Sequence, residues 1–250
     1  MRPYAFFLDI DGTLFDRDLL PERNVRAIAE AQRRGHLFFL NTGRGFAHIP
    51  AEILRRIRFD GFVCALGTYA RVKDEVLLNV PMPKELVYRS AEMMLAHPQG
   101  GRLQGEKYIF HVGHPGEDGV EIRSLTELDR FPDFICNKIT FDGTPPESWL
   151  GELSETLRIY RFPDYVEGGT RGYDKATGLR LVLEHLGMDR EQSVAVGDSS
   201  NDVDMLRYAG LSVVPENGEA EMKAMAGLII GRCRDGAVGS FLEEFLGMDP

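Results

Sequence analysis

Two aspartates, Asp9 and Asp11, close a short apolar run in "FFLDIDGTLF" (Phe6 to Phe15), and a glycine and a threonine follow at once. Side chains alternate along a strand, so the two carboxylates point the same way if strand geometry persists that far. Gly12 then lets the backbone come close to a ligand. Carboxylates on one side repel unless a cation offsets them. A capped turn is one reading, since Asp and Thr are good caps. A metal and phosphate site is the other, and the position directly after an apolar strand is its expected context. A second acid cluster, "VAVGDSSNDVDML", follows another apolar run: Asp198 stands at its end, and Asn201 and Asp202 open the next helix. Helix capping and the helix dipole account for Asn201 or Asp202. They do not account for Asp198, Asp202 and Asp204 crowding beside Gly197. Magnesium takes oxygen ligands, commonly one or two carboxylates together with a substrate phosphate. Asp9 and Asp198 could supply the carboxylates. "FFLNTGRG" offers Thr42 and the Gly43 N–H as donors for a phosphate oxygen, or forms a plain turn. Lys175 opens a helix, where its charge opposes the dipole, which asks for a local reason.

These groups must be brought together by the elements around them. Short apolar runs recur at Tyr4–Leu8, Leu37–Leu40, Phe62–Leu66, Ser193–Val196, Leu211–Val214 and Leu228–Ile230. Near-continuous apolar runs of this length read as buried parallel strands. Between the first two, Val25, Ile28, Ala29 and Gln32 fall at helical spacing, and Gly35 can end that helix. Leu179, Val182, Leu183 and Leu186 form a similar stripe that Gly187 closes. Strand and helix in alternation predict an α/β fold with a doubly wound, mostly parallel sheet. Acids at the ends of such strands meet near the switch point, where ligands bind.

The middle of the chain breaks the rhythm. From about 83 to 167 the order is helix (84–96), strand-like segments (106–112, 137–141), helix (146–157) and strand-like segments (158–160, 164–167), with dense turn residues between them. This predicts an inserted α+β module over 83–167, flanked by "NVPMP" and "EGGTRG" as hinges. The sheet domain is then 1–82 and 168–250.

Composition limits the possibilities. With 250 residues and 43% hydrophobic content, the chain can bury a core in one large domain or two modest ones. A net charge of −10 argues against a nucleic-acid surface. A local cation can still invert the field for an anionic small molecule. Cys64, Cys136 and Cys233 are scattered and odd in number, so neither a disulfide framework nor a zinc knuckle is expected, and a cytoplasmic location is the simplest expectation. The N-terminal apolar stretch is broken by Asp9, unlike a signal peptide. No apolar run is long enough for a bilayer, so no membrane partner is expected.

Taken in order and spacing, "DIDGT", "NTGR", Lys175 opening a helix and "GDSSND" resemble the four motifs of the haloacid dehalogenase-like (HAD) hydrolase superfamily. The insertion between the second and third motifs resembles the C2 cap of its Cof-type phosphatase branch. The resemblance implies a Rossmann-like core with an inserted α+β cap. It also implies a magnesium-dependent phosphatase of small phosphorylated metabolites, such as sugar phosphates or phosphorylated cofactors. Asp9 matches the nucleophile that forms an aspartyl-phosphate, and Asp11 the general acid/base. The Ile10 and Gly12 amides, Thr42, Gly43, Asn201 and Lys175 match the phosphate-binding positions. Asp9, the Asp11 carbonyl and Asp198 match the Mg2+ ligands, and Asp202 a residue that holds Lys175 or a metal-bound water. A phosphomutase or phosphotransferase on the same nucleophile is the enzymatic alternative. A phosphate-binding protein that has lost catalysis is the other, which intact Asp9, Asp11, Lys175 and Asp198 argue against.

The chain departs from the family pattern in three places. Leu66 stands where Asn is common, Asp174 precedes the lysine where Ser is usual, and "VVPENG", with Pro215, replaces a Val-Ala-Met-Gly-Asn-Ala pattern. His111 and His114 have metal-compatible spacing but read more simply as polar surface or substrate contacts. Trp149 reads as a packing anchor. Arg44 and Arg71 read equally as substrate or ion-pair residues.

Overall fold

The computed structural model describes residues 2–116 and 118–249. In chain order the strands are β1 (Ala5–Leu8), β2 (Leu37–Asn41), β3 (Gly61–Cys64), β4 (Tyr69–Val72), β5 (Glu75–Asn79), β6 (Gly101–Gln104), β7 (Ile109–Val112), β8 (Val120–Ile122), β9 (Lys138–Asp142), β10 (Leu157–Arg161), β11 (Tyr165–Thr170), β12 (Ser193–Val196), β13 (Leu211–Pro215) and β14 (Leu228–Ile230). The helices are α1 (Glu22–Arg33), α2 (Ala51–Arg56), α3 (Lys84–Ala96), α4 (Leu125–Leu128), α5 (Glu147–Leu153), α6 (Lys175–Leu186), α7 (Val203–Tyr208), α8 (Ala220–Met225) and α9 (Ala237–Leu246). The chain forms two compact units, one of residues 1–43, 50–77 and 174–250, the other of residues 44–49 and 78–173.

The first unit is built on an eight-stranded sheet in the order β14-β13-β12-β1-β2-β3-β4-β5. From β14 to β3 all neighbours are parallel, and β4 pairs antiparallel with β3. This is the α/β, mostly parallel sheet that the apolar runs predict. Strand β1 lies at its centre with β2 on one side and β12 on the other. The chain therefore leaves the carboxyl ends of two adjacent strands at Asp9 and Asp198, where an open α/β sheet presents its ligand crevice. In-register aromatic pairs stiffen the centre: Phe6 stacks on Phe38 with centroids 4.8 Å apart, and Phe7 on Phe39 at 5.0 Å. Aromatic pairs of this spacing contribute roughly 0.5–1.5 kcal/mol each beyond the area they bury.

The antiparallel β4 and the edge strand β5 are absent from the sequence reading. Their residues carry no long apolar run, and β5 is half-buried or exposed along its length. Strand β3 also ends earlier than its apolar run, at Cys64, and the chain turns through Ala65–Gly67.

The second unit is a six-stranded sheet in the order β10-β11-β9-β6-β7-β8. Its apolar core joins Val87, Ala91 and Met94 of α3 to Leu103, Phe110, Val112, Ile139 and Phe141 of the sheet, and Trp149 packs against that core. Strand β6 lies in a stretch that reads as turn residues. A Cβ at Gly101 would overlap the Thr140 carbonyl and press on the Met94 side chain, so glycine there admits strand and helix contacts that its turn propensity conceals. The three cysteines are free and buried. Among the described residues, no helix is long and apolar enough to cross a membrane.

Candidate active site

The "DIDGT" loop takes shape where β1 ends. Asp9 continues the ladder by one bond, its N–H donating to Val196 O at 2.9 Å. The chain then turns at Ile10, whose carbonyl accepts from Thr13, Leu14 and Phe15 N–H. Strand alternation therefore stops short of Asp11. Asp9 is buried with 5% exposure, while Asp11 is exposed. Gly12 has φ 75°, and a Cβ there would overlap the Asp198 carboxylate, so glycine permits the two acidic loops to meet. The sequence reading assigns the Gly12 amide to phosphate. In the structure it donates to Phe15 O at 3.0 Å, closing the loop on itself.

Lys175 begins α6 and is almost fully buried. Asp174 caps the helix by accepting from Thr177 N–H at 2.8 Å, with the reciprocal bond from Asp174 N–H to Thr177 Oγ1. The lysine's unfavourable place in the helix dipole is explained by its partners. Nζ lies 2.8 Å from Asp9 Oδ1 and 2.5 Å from Asp202 Oδ1. Burial works against the ammonium, but Asp202 and Asp9 outweigh it and hold the pKa above its ordinary value. Asp202 spends its other oxygen on the loop, accepting from the Asp198 and Ser199 N–H groups at 3.0 and 3.1 Å.

Removing Asp202 would leave Lys175 paired with Asp9 but strip the Asp198 and Ser199 N–H groups of their acceptor, and each donor left unmade costs about 1–3 kcal/mol. Asp202→Ala is therefore expected to destabilise the protein by about 2–4 kcal/mol. Urea unfolding would measure this, and a loss under about 1 kcal/mol would contradict the pairing.

Asp9, Asp198 and Asp202 bring carboxylate oxygens within 4.8 Å of one another. Asp198 Oδ1 accepts from Thr13 Oγ1 at 3.1 Å. Burial pushes the Asp9 carboxyl up to about 7, against the pull of Lys175 and with help from Asp202 and Asp11. Burial, then Asp202 and Asp9, push Asp198 up to about 8. One lysine does not neutralise this group, and the donors are hard oxygens. A divalent cation of the magnesium type fits that donor set. Asp9 and Asp198 are the carboxylates suited to hold it, since both Asp202 oxygens are engaged by Lys175 and backbone amides. The Asp11 carboxylate and Asp204 are not members of the triad.

The raised carboxyl values set a pH dependence. In the metal-free fold Asp9 and Asp198 keep protons well above their ordinary 3.8. The folded state then binds more protons than the unfolded chain, so stability falls as pH rises through about 7 to 8. Metal-free protein is expected to melt lower at pH 8.5 than at pH 6.5, and excess magnesium to raise the melting temperature more at the higher pH. Asp198→Asn should flatten both trends in a thermal melt series.

The remaining positions are placed as follows. Thr42 and Gly43 are buried just after β2, with Thr42 N–H donating to Val63 O. Asn201 is buried in the turn before α7, and its Oδ1 accepts from Ser199 Oγ at 3.3 Å. His111 and His114 lie in the second unit beside acids, His111 Nε2 3.3 Å from Asp118 and His114 Nε2 2.9 Å from Asp142. They belong to no metal-ligating group among the described residues. Arg44 donates to His48 O, and Arg71 lies over the Phe62 ring.

Three contributors escape the sequence reading. Thr13 holds Asp198. Asn41 donates from Nδ2 to Lys175 O at 3.0 Å. Asn217 donates to Gly12 O at 2.7 Å and accepts from Cys233 N–H at 2.8 Å, tying the first loop to the end of the sheet. All three lie inside or beside the quoted motifs, and a polar side chain at the end of an apolar run is the signal that marks Asn41.

The sequence profile of the haloacid dehalogenase-like hydrolases matches residues 6–142 and 151–242. The phosphoglycolate phosphatase of Methanopyrus kandleri is 37% identical, with 95% of each chain covered. The pyridoxal phosphate phosphatase YbhA of Escherichia coli is 26% identical over 98% of this chain and 100% of its own. The sugar phosphatase BT4131 of HAD subclass IIB has a solved structure that superposes with a TM-score of 0.80 at 25% identity, covering 97% of this chain and 98% of that one. With the family profile running through both units and an acid–lysine cluster at the ends of the central strands, the chain belongs to the haloacid dehalogenase-like hydrolases, as an enzyme of their Cof-type phosphatase branch.

Proposed function

We propose that this enzyme is a magnesium-dependent phosphatase of small phosphorylated metabolites, working through an aspartyl-phosphate on Asp9. The observation that carries the reading is the junction of Asp9, Lys175, Asp202 and Asp198, which pairs a buried carboxylate with a fixed cation and gathers more carboxyl groups than one ammonium balances, whose protons a metal would displace. Phosphoryl transfer asks for in-line placement and charge stabilisation more than for covalent help from many groups. Bound at Asp9 and Asp198, with the Asp11 carbonyl as a further oxygen, the metal would neutralise charge on the transferring phosphoryl group.

Asp9 Oδ forms a bond to phosphorus as the bond to the leaving oxygen breaks, and Asp11 gives that oxygen its proton. Water then attacks phosphorus and passes a proton to Asp11, the Asp9–phosphorus bond breaks, and inorganic phosphate leaves. Lys175 keeps Asp9 oriented and offers positive charge to the phosphoryl oxygens, with Thr42, Gly43 and Asn201 as neutral hydrogen-bonding groups around them. The unit of residues 44–49 and 78–173 would act as the cap that selects the leaving group.

The named substrates of the relatives support small phosphate monoesters: phosphoglycolate, pyridoxal phosphate and sugar phosphates. A panel of phosphorylated metabolites with magnesium, read by released phosphate, tests the proposal. Hydrolysis of at least one such compound is the expected result. Transfer of phosphate between hydroxyls of a hexose phosphate without release would replace hydrolase by mutase.

A further inference from the structure

We infer that the turn Ala65–Gly67, the Asn41 carboxamide and Gly178 act as positioning residues for Lys175, setting how deep α6 seats its ammonium between Asp9 and Asp202. The inference rests on the phosphate-side role proposed for Lys175. It begins with backbone strain: Ala65 (φ 50°), Leu66 (φ 59°) and Gly67 (φ 86°) lie consecutively in the left-handed region. Left-handed conformation at non-glycine residues is uncommon, and such strain persists only where the surroundings over-determine it. Here burial holds it, since all three residues are buried at the end of β3.

What the turn does follows from its neighbours. A Cβ at Gly67 would overlap the carbonyl of Asp174 and crowd the Lys175 nitrogen, so this peptide of the turn abuts the peptide that starts α6. Asn41 Nδ2 in turn donates to the Lys175 carbonyl at 3.0 Å. One residue past the cap partner Thr177, a Cβ at Gly178 would overlap the Val63 side chain, so glycine lets the helix lie close against β3. The first turn of α6 is thus held at its start, at the Lys175 carbonyl and on its inner face. Every one of these contacts is to the backbone or to a missing Cβ. None uses the lysine side chain, so each acts on the chemistry through where it places Nζ. Leu66, which departs from the Asn common in the family, keeps the left-handed turn by burial rather than by a side chain suited to that conformation.

A double-mutant cycle tests this on the full chain with magnesium and p-nitrophenyl phosphate, with inorganic orthovanadate inhibition as a second readout. Gly67→Ala is expected to lower kcat by about 10²-fold, the scale of a displacement near 1 Å, and to weaken vanadate inhibition. In a Lys175→Ala background the same change should cost less than about twofold, since a residue that acts through the lysine has nothing left to move. Asn41→Ala, which introduces no clash, should lose roughly 3- to 10-fold by the same route. Gly178→Ala should also lose activity, and Val63→Ala should restore it by returning the room that the new methyl takes.

Full additivity of Gly67→Ala with Lys175→Ala would overturn the inference, as would wild-type kcat in Gly67→Ala beside a crippled Lys175→Ala. If Gly67→Ala does not fold, the Asn41→Ala cycle and the Gly178→Ala/Val63→Ala rescue decide in the same terms. Unimpaired turnover in Lys175→Ala would remove the lysine's role itself, and with it this inference. That outcome is distinct from a failure of positioning alone.

Discussion

Asp9→Asn is expected to abolish turnover of every substrate, whereas Asp11→Asn should stall the enzyme after the first chemical step. Asp9 lies beside the Lys175 ammonium in a buried setting, where its anion is the group aimed to attack phosphorus. An amide has no such anion, so no covalent intermediate should form. The fold should survive, because Asp202 still pairs with Lys175 and the amide removes a carboxyl whose charged form burial disfavours. Asp11 is exposed and outside the acid triad, which suits a group that meets the leaving oxygen and then water. Its loss should depend on the leaving group. An alkyl phosphate needs its oxygen protonated and should slow by about 10²–10⁴-fold. An aryl phosphate needs little protonation and should still phosphorylate Asp9. The aspartyl-phosphate should then accumulate, since its hydrolysis lacks a base, and rapid acid quench would trap it. Equal losses of Asp11→Asn on both substrate types, with nothing trapped, would refute the division of labour.

Removing divalent metal is expected to have an effect of comparable size. Three carboxylates meet one ammonium, and burial already holds Asp9 at about 7 and Asp198 at about 8 when no metal offsets them. A bound cation contributes several kcal/mol of charge stabilisation in the transition state, and each 1.36 kcal/mol is tenfold in rate. Excess chelator should therefore lower kcat by at least about 10²-fold. Magnesium should restore it, and calorimetry should show metal binding accompanied by proton release near pH 7. Asp198→Asn should weaken metal binding far more than it lowers the melting temperature, because Asp202 holds the loop through the Asp198 and Ser199 backbone N–H groups. Full activity in chelator would end the metal reading.

Much of the framework is written in local patterns. The apolar runs that become β1, β2, β12 and β14 and the stripe of α6 are legible because a strand or helix needs only its own periodicity and an end signal. The acids after β1 and β12 and the lysine opening α6 are legible for the same reason, as polar exceptions placed where such elements stop. What each of them touches is not. Lys175 and Asp9 are 166 residues apart, and only the packing of α6 against the sheet decides that they meet. That Asp202 takes the lysine and two loop amides follows from how the turn after β12 closes, which no spacing reports. The antiparallel β4 and the edge strand β5 depend on pairing along a half-exposed sheet edge. The left-handed run at Ala65–Gly67 hides inside what reads as the end of a strand, because apolar residues report burial and not backbone handedness. Residue type and order determined which chemistry this chain carries. Long-range packing decided which carboxylate faces the cation and how firmly it is held, since those contacts are made by groups that no local pattern links.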